Sequence, residues 1–306
     1  MSPSPGAIEL GPAIDGERRR WRAEGHGVGD VCIYAAERGR GRPLVLVHDL
    51  RATSSAYEMR PLFECFRWRR PTYALDLPGY GLSQRSSLPY APALFAVVVA
   101  ELLRRLRRMD PTVDVVALGR GCEVAARVAR DEPGLVRSLV MLEPSGLLPT
   151  RGALLEAMAA HLGRLLGDGA ARALFGLITR RTLLRRSLGA RFHGAPDEGL
   201  VDYARASAQV PGAHRAPLAT IANGPRGPEA AMLYRALTVP VLVVHDVHGA
   251  DAIELEAFLR GRANRFAVRV SPTRGMPHFE RRGDTVAALE RFWLTIPRAA
   301  WDQAMR

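Results

Sequence analysis

Lysine is missing from this 306-residue chain: all 43 basic side chains are arginine, set against 31 carboxylates for a formal charge of +12. An arginine-only choice reads as the codon composition of a GC-rich genome rather than as selection for a polyanionic partner. The arginines are also spread out, in stretches such as "ELLRRLRRMD" and "RRTLLRRSLGARF", where they alternate with leucine at helical spacing. Such stretches are solvated helix faces before they are docking surfaces, and no nucleic-acid-binding signature accompanies them. Cysteine is scarce: Cys32, Cys65 and Cys122 are an odd number without metal-ligand spacing, so neither a disulfide framework nor a zinc site is expected. No apolar run reaches membrane-spanning length, and the first residues, "MSPSPGAIELGPAIDGERRRW", lack the apolar core of a signal peptide. The expectation is a cytoplasmic protein without a transmembrane segment, with peripheral membrane contact as a lesser option.

What is present is strand and helix in alternation. Residues 1–29 are rich in proline, glycine and charge and are expected to form an irregular leader. Beyond them, "DVCIYAAE", "PLVLVHD", "PTYALDLPG", "VDVVALG" and "VRSLVMLEP" read as strands. Amphipathic helical stretches such as "APALFAVVVAELLRRLRRM" and "EVAARVARD" lie between several of them. The rhythm stops over about residues 146–236, where only helical patterns are found, and resumes with "VPVLVVHD", "AIELEAFLRG", "RFAVRVSP" and "TVAALERFWLTI". This order predicts an α/β fold: a mostly parallel, doubly wound sheet from residues 30–145 and 237–306, interrupted by a helical lid at 146–236.

Two segments carry a more specific signal. "DLPGYGLS", Asp76 to Ser83, has the form D-x-P-G-x-G-x-S, and "VVALGRGCEVAARVA" runs a strand through a glycine turn into a helix. With a histidine in the last loop, "TRGMPHFERRGD", the chain resembles the α/β-hydrolase superfamily over about residues 30–145 and 237–296. The resemblance implies an oxyanion loop after the family's third strand, here "PLVLVHD", a nucleophile at the apex of the glycine turn, an acid and a base.

At each of these places the residues depart from the family's pattern. The oxyanion loop holds His48, Asp49 and Leu50 where an H-G pair is usual, and a carboxylate there opposes a developing oxyanion. An alternative is that Asp49 caps the next helix or turns toward Arg51. The turn is read with its apex at Gly121, flanked by Gly119 and Glu123 at the two positions that need small side chains, so no hydroxyl, thiol or carboxylate stands at the apex. Cys122 is the nearest replacement, with a small buried thiol as the other reading. For the acid, Asp246, His248 and Asp251 are the local candidates, the strict alignment falling on Gly249, with Glu143 at the end of "LVMLEP" as the alternative; for the base, His278 is the candidate, the gap-free alignment falling on Gly275. Ser54 and Ser55 read as helix caps and Ser83 as part of its glycine loop. "HDVHGAD" concentrates His245, Asp246, His248 and Asp251, yet alternate residues of a strand face opposite ways, so no metal and no cofactor are expected.

Three functions stay open on this evidence. The chain is a binder of a small, largely apolar molecule in a lidded pocket, or a non-covalent acid/base enzyme, without the ordinary serine triad; or an ester or acyl hydrolase using Cys122 or another hydroxyl with His278 as base; or a protein that docks an acidic partner or anionic lipid through arginine-rich faces.

Overall fold

A computed structural model of the chain describes residues 10–23, 27–148, 154–223 and 227–296. Eight strands form one sheet: β1 (Glu17–Arg22), β2 (Asp30–Ala36), β3 (Leu44–Val47), β4 (Thr72–Asp76), β5 (Val113–Leu118), β6 (Val136–Leu142), β7 (Val241–His245) and β8 (Arg265–Arg269). Their spatial order is β1-β2-β4-β3-β5-β6-β7-β8, with β1/β2 and β2/β4 antiparallel and every other pairing parallel. The expected parallel, doubly wound architecture is therefore present. The leader is not wholly irregular: its segment 17–22 pairs with β2 along its whole length. Turn-forming residues on either side hid that strand, and its five exposed positions show why it is charged, because an arginine-rich edge resists pairing with another chain.

The central strands β3, β5 and β6 are buried at every position, as parallel strands covered on both faces must be. Alternate residues divide between the faces. Val45, Val47, Val115 and Ala117 pack with α2 (Pro92–Leu106) and α3 (Gly121–Asp131), whereas Leu44, Leu46, Val116 and Leu118 share a second core with α1 (Arg60–Phe66) and α11 (Arg282–Thr295). Asp114 is the polar exception in β5, and Arg70 (2.6 Å), Arg137 (3.0 Å) and the Ser138 hydroxyl (2.6 Å) answer its charge.

Between β6 and β7 the chain is helical: α4 (Leu154–Ile178, broken at Gly167), α5 (Arg181–Gly189), α6 (Glu198–Gln209), α7 (Arg215–Asn223) and α8 (Gly227–Arg235). After β7 come α9 (Ile253–Leu259), β8 and the short α10 (Pro277–Glu280) that precedes α11. Parallel strands all point their carboxyl ends to one edge, so the loops after β3, β4, β5, β6, β7 and β8 meet there. The strand order reverses at β3, which makes that edge the natural crevice of the fold.

Candidate functional site

The loop after β4 is the anchor of this edge. The Asp76 carboxylate accepts the Ala56 N–H (2.8 Å), the Leu82 N–H (2.9 Å) and the Tyr34 hydroxyl (3.1 Å). The Ser83 hydroxyl donates to the Asp76 carbonyl at 2.5 Å and accepts the Cys32 N–H at 2.9 Å. Asp76 thus closes its own glycine loop and also holds the first N–H of the turn leading into α1. That second task corrects the reading of Ser54 and Ser55 as caps: Ser54 bonds Glu58 and the Arg51 N–H, and the Ser55 hydroxyl has no partner. Burial raises the Asp76 carboxyl above its usual range, against hydrogen bonds that favour the charged form.

His48, at the end of β3, joins this loop to its neighbour. Its Nε2 accepts the Leu77 N–H at 2.9 Å and its Nδ1–H donates to the Asp49 carbonyl at 2.5 Å, which fixes one neutral tautomer. Burial holds its pKa below the ordinary histidine value. The ring is a positioning group for two loops.

Asp49 then turns toward the strand-to-helix turn after β5. Its Oδ1 accepts the N–H of Leu50 (2.8 Å) and the N–H of Arg120 (2.9 Å), so two backbone donors from different loops converge on one oxygen. The Oδ2 atom pairs with Arg191 at 3.2 Å, and the same guanidinium reaches Glu58 at 3.0 Å. The Asp49 N–H in turn donates to Glu58 Oε2 at 3.0 Å. All three side chains are buried, with the arginine supplied by the segment after α5 and the carboxylates by the core. Two carboxylates and one guanidinium leave an excess negative charge away from water, and burial accordingly pushes the Glu58 carboxyl up, with Asp49 adding to the shift and Arg191 opposing it.

The turn itself differs from the reading made on sequence. Its left-handed residue is Gly119 (φ 54°), at the end of β5, while Gly121 is already the first residue of α3. A Cβ on Gly119 would stand 2.5 Å from Asp49 Oδ2, and one on Gly121 would collide with the His48 carbonyl. Gly121 is therefore the close-approach residue and Gly119 the apex. The small-x-apex-x-small spacing is then met by Ala117 and Gly121, a signal present in the sequence and missed by centring the turn two residues late. Glu123, no longer in a crowded position, is buried and accepts the Ser145 hydroxyl at 2.5 Å.

The remaining candidates do not converge. Cys122 points back under the sheet, its thiol donating to the Ala117 carbonyl at 3.2 Å, and burial, with Asp49 and Glu123 adding, pushes that thiol well above its ordinary pKa. It packs in the core beneath α2 and α3. His278 is on the side of α1, where its Nε2–H donates to the Glu58 carbonyl at 2.6 Å and its Nδ1 is buried without a partner. The structure does not bring these two together. Burial lowers His278 to about 4, with Arg191 adding to the effect. Asp246 is held by the Thr273 N–H (2.7 Å) and Arg269 (3.0 Å); burial raises its pKa, but these bonds outweigh that and keep it below the usual range. Glu143 has a left-handed backbone (φ 47°) and accepts the Asp246 N–H at 3.1 Å, so these two acid candidates brace each other at the ends of β6 and β7. Gly275 faces Arg191: a Cβ there would lie 3.6 Å from the arginine's own Cβ. Gly249, in the loop after β7, has nothing within 4 Å of its Cβ direction. Among the described residues no group of histidine, cysteine and carboxylate side chains has metal-site geometry, and no helix is long and apolar enough to cross a membrane. Arg191 and Glu58 are the site residues that sequence reasoning passed over; neither sits in a motif.

Comparison with known proteins agrees with the fold. Residues 44–289 match the profile of the alpha/beta hydrolase family. A 2-(acetamidomethylene)succinate hydrolase of Mesorhizobium japonicum is 28% identical over 223 residues, 71% of this chain and 74% of that one. Among solved structures, a serine hydrolase involved in carbazole degradation superposes with a TM-score of 0.70 at 16% identity, covering 92% of this chain and 99% of the other. The enol-lactonase from Burkholderia xenovorans gives 0.65 at 15% identity, over 87% and 96%.

Proposed function

The chain belongs to the alpha/beta hydrolase family, and from that membership we propose that it is a noncatalytic member which works by binding, its reaction centre closed by its own side chains. One observation carries the reading: Asp49 Oδ1 takes both N–H groups, from Leu50 and Arg120, that a hydrolase of this fold keeps for the oxyanion. A substrate carbonyl can use those donors only by displacing a buried carboxylate that is also paired with Arg191. A second negative charge forming beside Asp49 meets strong repulsion in a dry site.

The nucleophile and base positions fit the same reading. Gly119 takes the nucleophile's place, and Asp49 fills the volume a side chain there would need. Gly275 takes the base's place, with Arg191 in front of it. Cys122 serves as a core thiol. The helical segment 146–236 acts as a lid that Arg191 pins to the core through two ion pairs. Docking of an acidic partner has less support, because many surface arginines are already answered, as in Arg104–Glu132, Arg105–Glu101 and Arg130–Asp131.

A second reading has one observation in its favour: Asp49 Oδ2 lies where a nucleophile's side-chain atom would be, so the carboxylate itself could attack an electrophilic carbon. The Arg191 pair on that oxygen and the glycine at the base position weigh against it.

The test is turnover and labelling. The purified protein is expected to leave short p-nitrophenyl esters intact and to take up neither fluorophosphonate nor iodoacetamide in a ligand-protected manner. Ester hydrolysis abolished by Cys122→Ala would select the thiol hydrolase, and hydrolysis abolished by Asp49→Asn would select the carboxylate nucleophile.

A further inference from the structure

A cavity of about 360 Å³ opens within the helical segment, between the second half of α4, the end of α6 and the loop 210–214. Its walls share no residue with the closed centre. The cavity carries four guanidinium groups, Arg172, Arg180, Arg181 and Arg205, together with His214, and no carboxylate among its lining residues. The nearby acids are already engaged. Asp168 pairs with His214 (2.9 Å) and Arg215 (3.8 Å), and Glu198 and Asp202 pair with Arg181 at 3.1 and 3.2 Å. Arg180 and Arg205 have no carboxylate partner among the described residues, and Arg172 pairs with none directly, its charge felt at a distance by Asp168.

Cations gathered around a concave space repel one another, and an anion entering that space relieves the repulsion of all of them at once. Guanidinium groups suit the task because each presents a planar fork of donors that matches the oxygens of a carboxylate or phosphate. Phe175 and Ala213 give the cavity a firm floor, packed in one cluster with Ala52, three residues beyond Asp49.

We propose that this cavity is a binding site for a small, doubly charged oxyanion, separate from the Asp49 centre and independent of whether that centre is catalytic. Calorimetric titration of the full chain with succinate and with inorganic phosphate, against sodium chloride at matched ionic strength, tests it. At least one of the two is expected to bind saturably, and which one does so identifies carboxylate or phosphate as the source of the charge. The double variant R172Q/R205Q, both positions exposed, should weaken that binding at least tenfold, with R180Q as a single-site check if the double variant melts early. Binding should persist in Asp49→Ala. The proposal is overturned if neither anion binds beyond chloride, if the arginine variants bind as the wild type does, or if Asp49→Ala abolishes binding and so locates the anion elsewhere.

Discussion

Asp76, the last residue of β4, and Asp49, in the loop after the adjacent β3, lie at the same edge of the sheet, both buried, both accepting two backbone N–H groups, and they do opposite things. Asp76 satisfies donors that would otherwise be orphaned: the Ala56 and Leu82 N–H groups and the hydroxyl proton of Tyr34, whose oxygen also accepts the Ala13 N–H. No ion pair answers it among the described residues; three hydrogen bonds favour its charged form, although burial still holds its pKa above the usual range. Asp49 gathers N–H groups from two different loops onto one oxygen, the pair proposed above as the occupied oxyanion donors, and its other oxygen pairs with Arg191 from the helical segment. The first carboxylate builds the scaffold; the second fills the space that the scaffold creates. The proposed reading is thus of a hydrolase fold that keeps its architectural bonds while its reaction centre is occupied from within.

The comparison breaks if the two carboxylates prove interchangeable in their energetic weight. The largest effect is expected at Asp76. Replacing it with alanine orphans three buried donors at about 1–3 kcal/mol each, so the loss is about 6 kcal/mol and the variant should be unfolded or close to it, whereas Asp76→Asn retains an acceptor and should survive. Urea unfolding measures both; a mild Asp76→Ala would show that water can replace the carboxylate. Next is Arg191→Gln, which leaves Asp49 and Glu58 buried without a cation and should cost about 3–5 kcal/mol. Because Arg191 also ties the helical segment to the core, the loss should appear as early proteolysis within residues 154–223. Uniform resistance there would mean that the ion pairs do not hold the segment down.

The same contrast governs what could be read without coordinates. The sheet, the glycine loop and the helical interruption were legible because strand and helix periodicity and the D-x-P-G-x-G-x-S spacing are local properties, and the bonds that close the loop, Asp76 to the Leu82 N–H and to the Ser83 hydroxyl, fall within that motif. The occupied centre was half legible. That Asp49 sat badly in an oxyanion loop was visible, and so were the glycines. The apex was placed at Gly121 although Ala117 and Gly121 flank Gly119 at the small-residue spacing, since a strand's last residue cannot be told from the turn's first by hydrophobicity alone. Arg191 was not legible at all, being 142 positions from Asp49 in a helical segment with no motif. The strand in the leader escaped because its sequence, "ERRRWR", is that of a charged edge rather than of a core strand.

A smaller, pH-dependent effect separates the centre from the scaffold. His278 is buried beside the ion network with its pKa lowered from 6.5 to about 4. The folded state favours the neutral ring, so its contribution is present above the unfolded pKa of 6.5 and is lost as pH falls toward 4, a swing of about 3 kcal/mol over that window. Thermal melts from pH 7 to pH 4 should show this acid limb, and His278→Gln, which keeps a donor for the Glu58 carbonyl, should flatten it. Glu58, whose pKa is raised, works the other way: its contribution is present below its unfolded pKa and declines as pH rises. An unchanged acid limb in His278→Gln would assign the titration to another group.

The smallest stability change is expected where the sequence departs most from its family. Asp49→Gly removes one of the two carboxylates and leaves Arg191 facing Glu58 alone, so the buried set becomes charge-balanced, and the cost is confined to the freed Leu50 and Arg120 N–H groups. Water can reach donors exposed by losing a side chain of that size, which keeps the penalty at about 1–2 kcal/mol, well under that of Asp76→Ala. The vacated N–H pair is then an anion site in the strict sense. Acetate should raise the melting temperature of Asp49→Gly more than that of the wild type, whose own carboxylate already holds those donors. Equal responses of the two proteins would mean that the donors do not converge on an accessible point, and that Asp49 rests there as a structural residue of the same kind as Asp76.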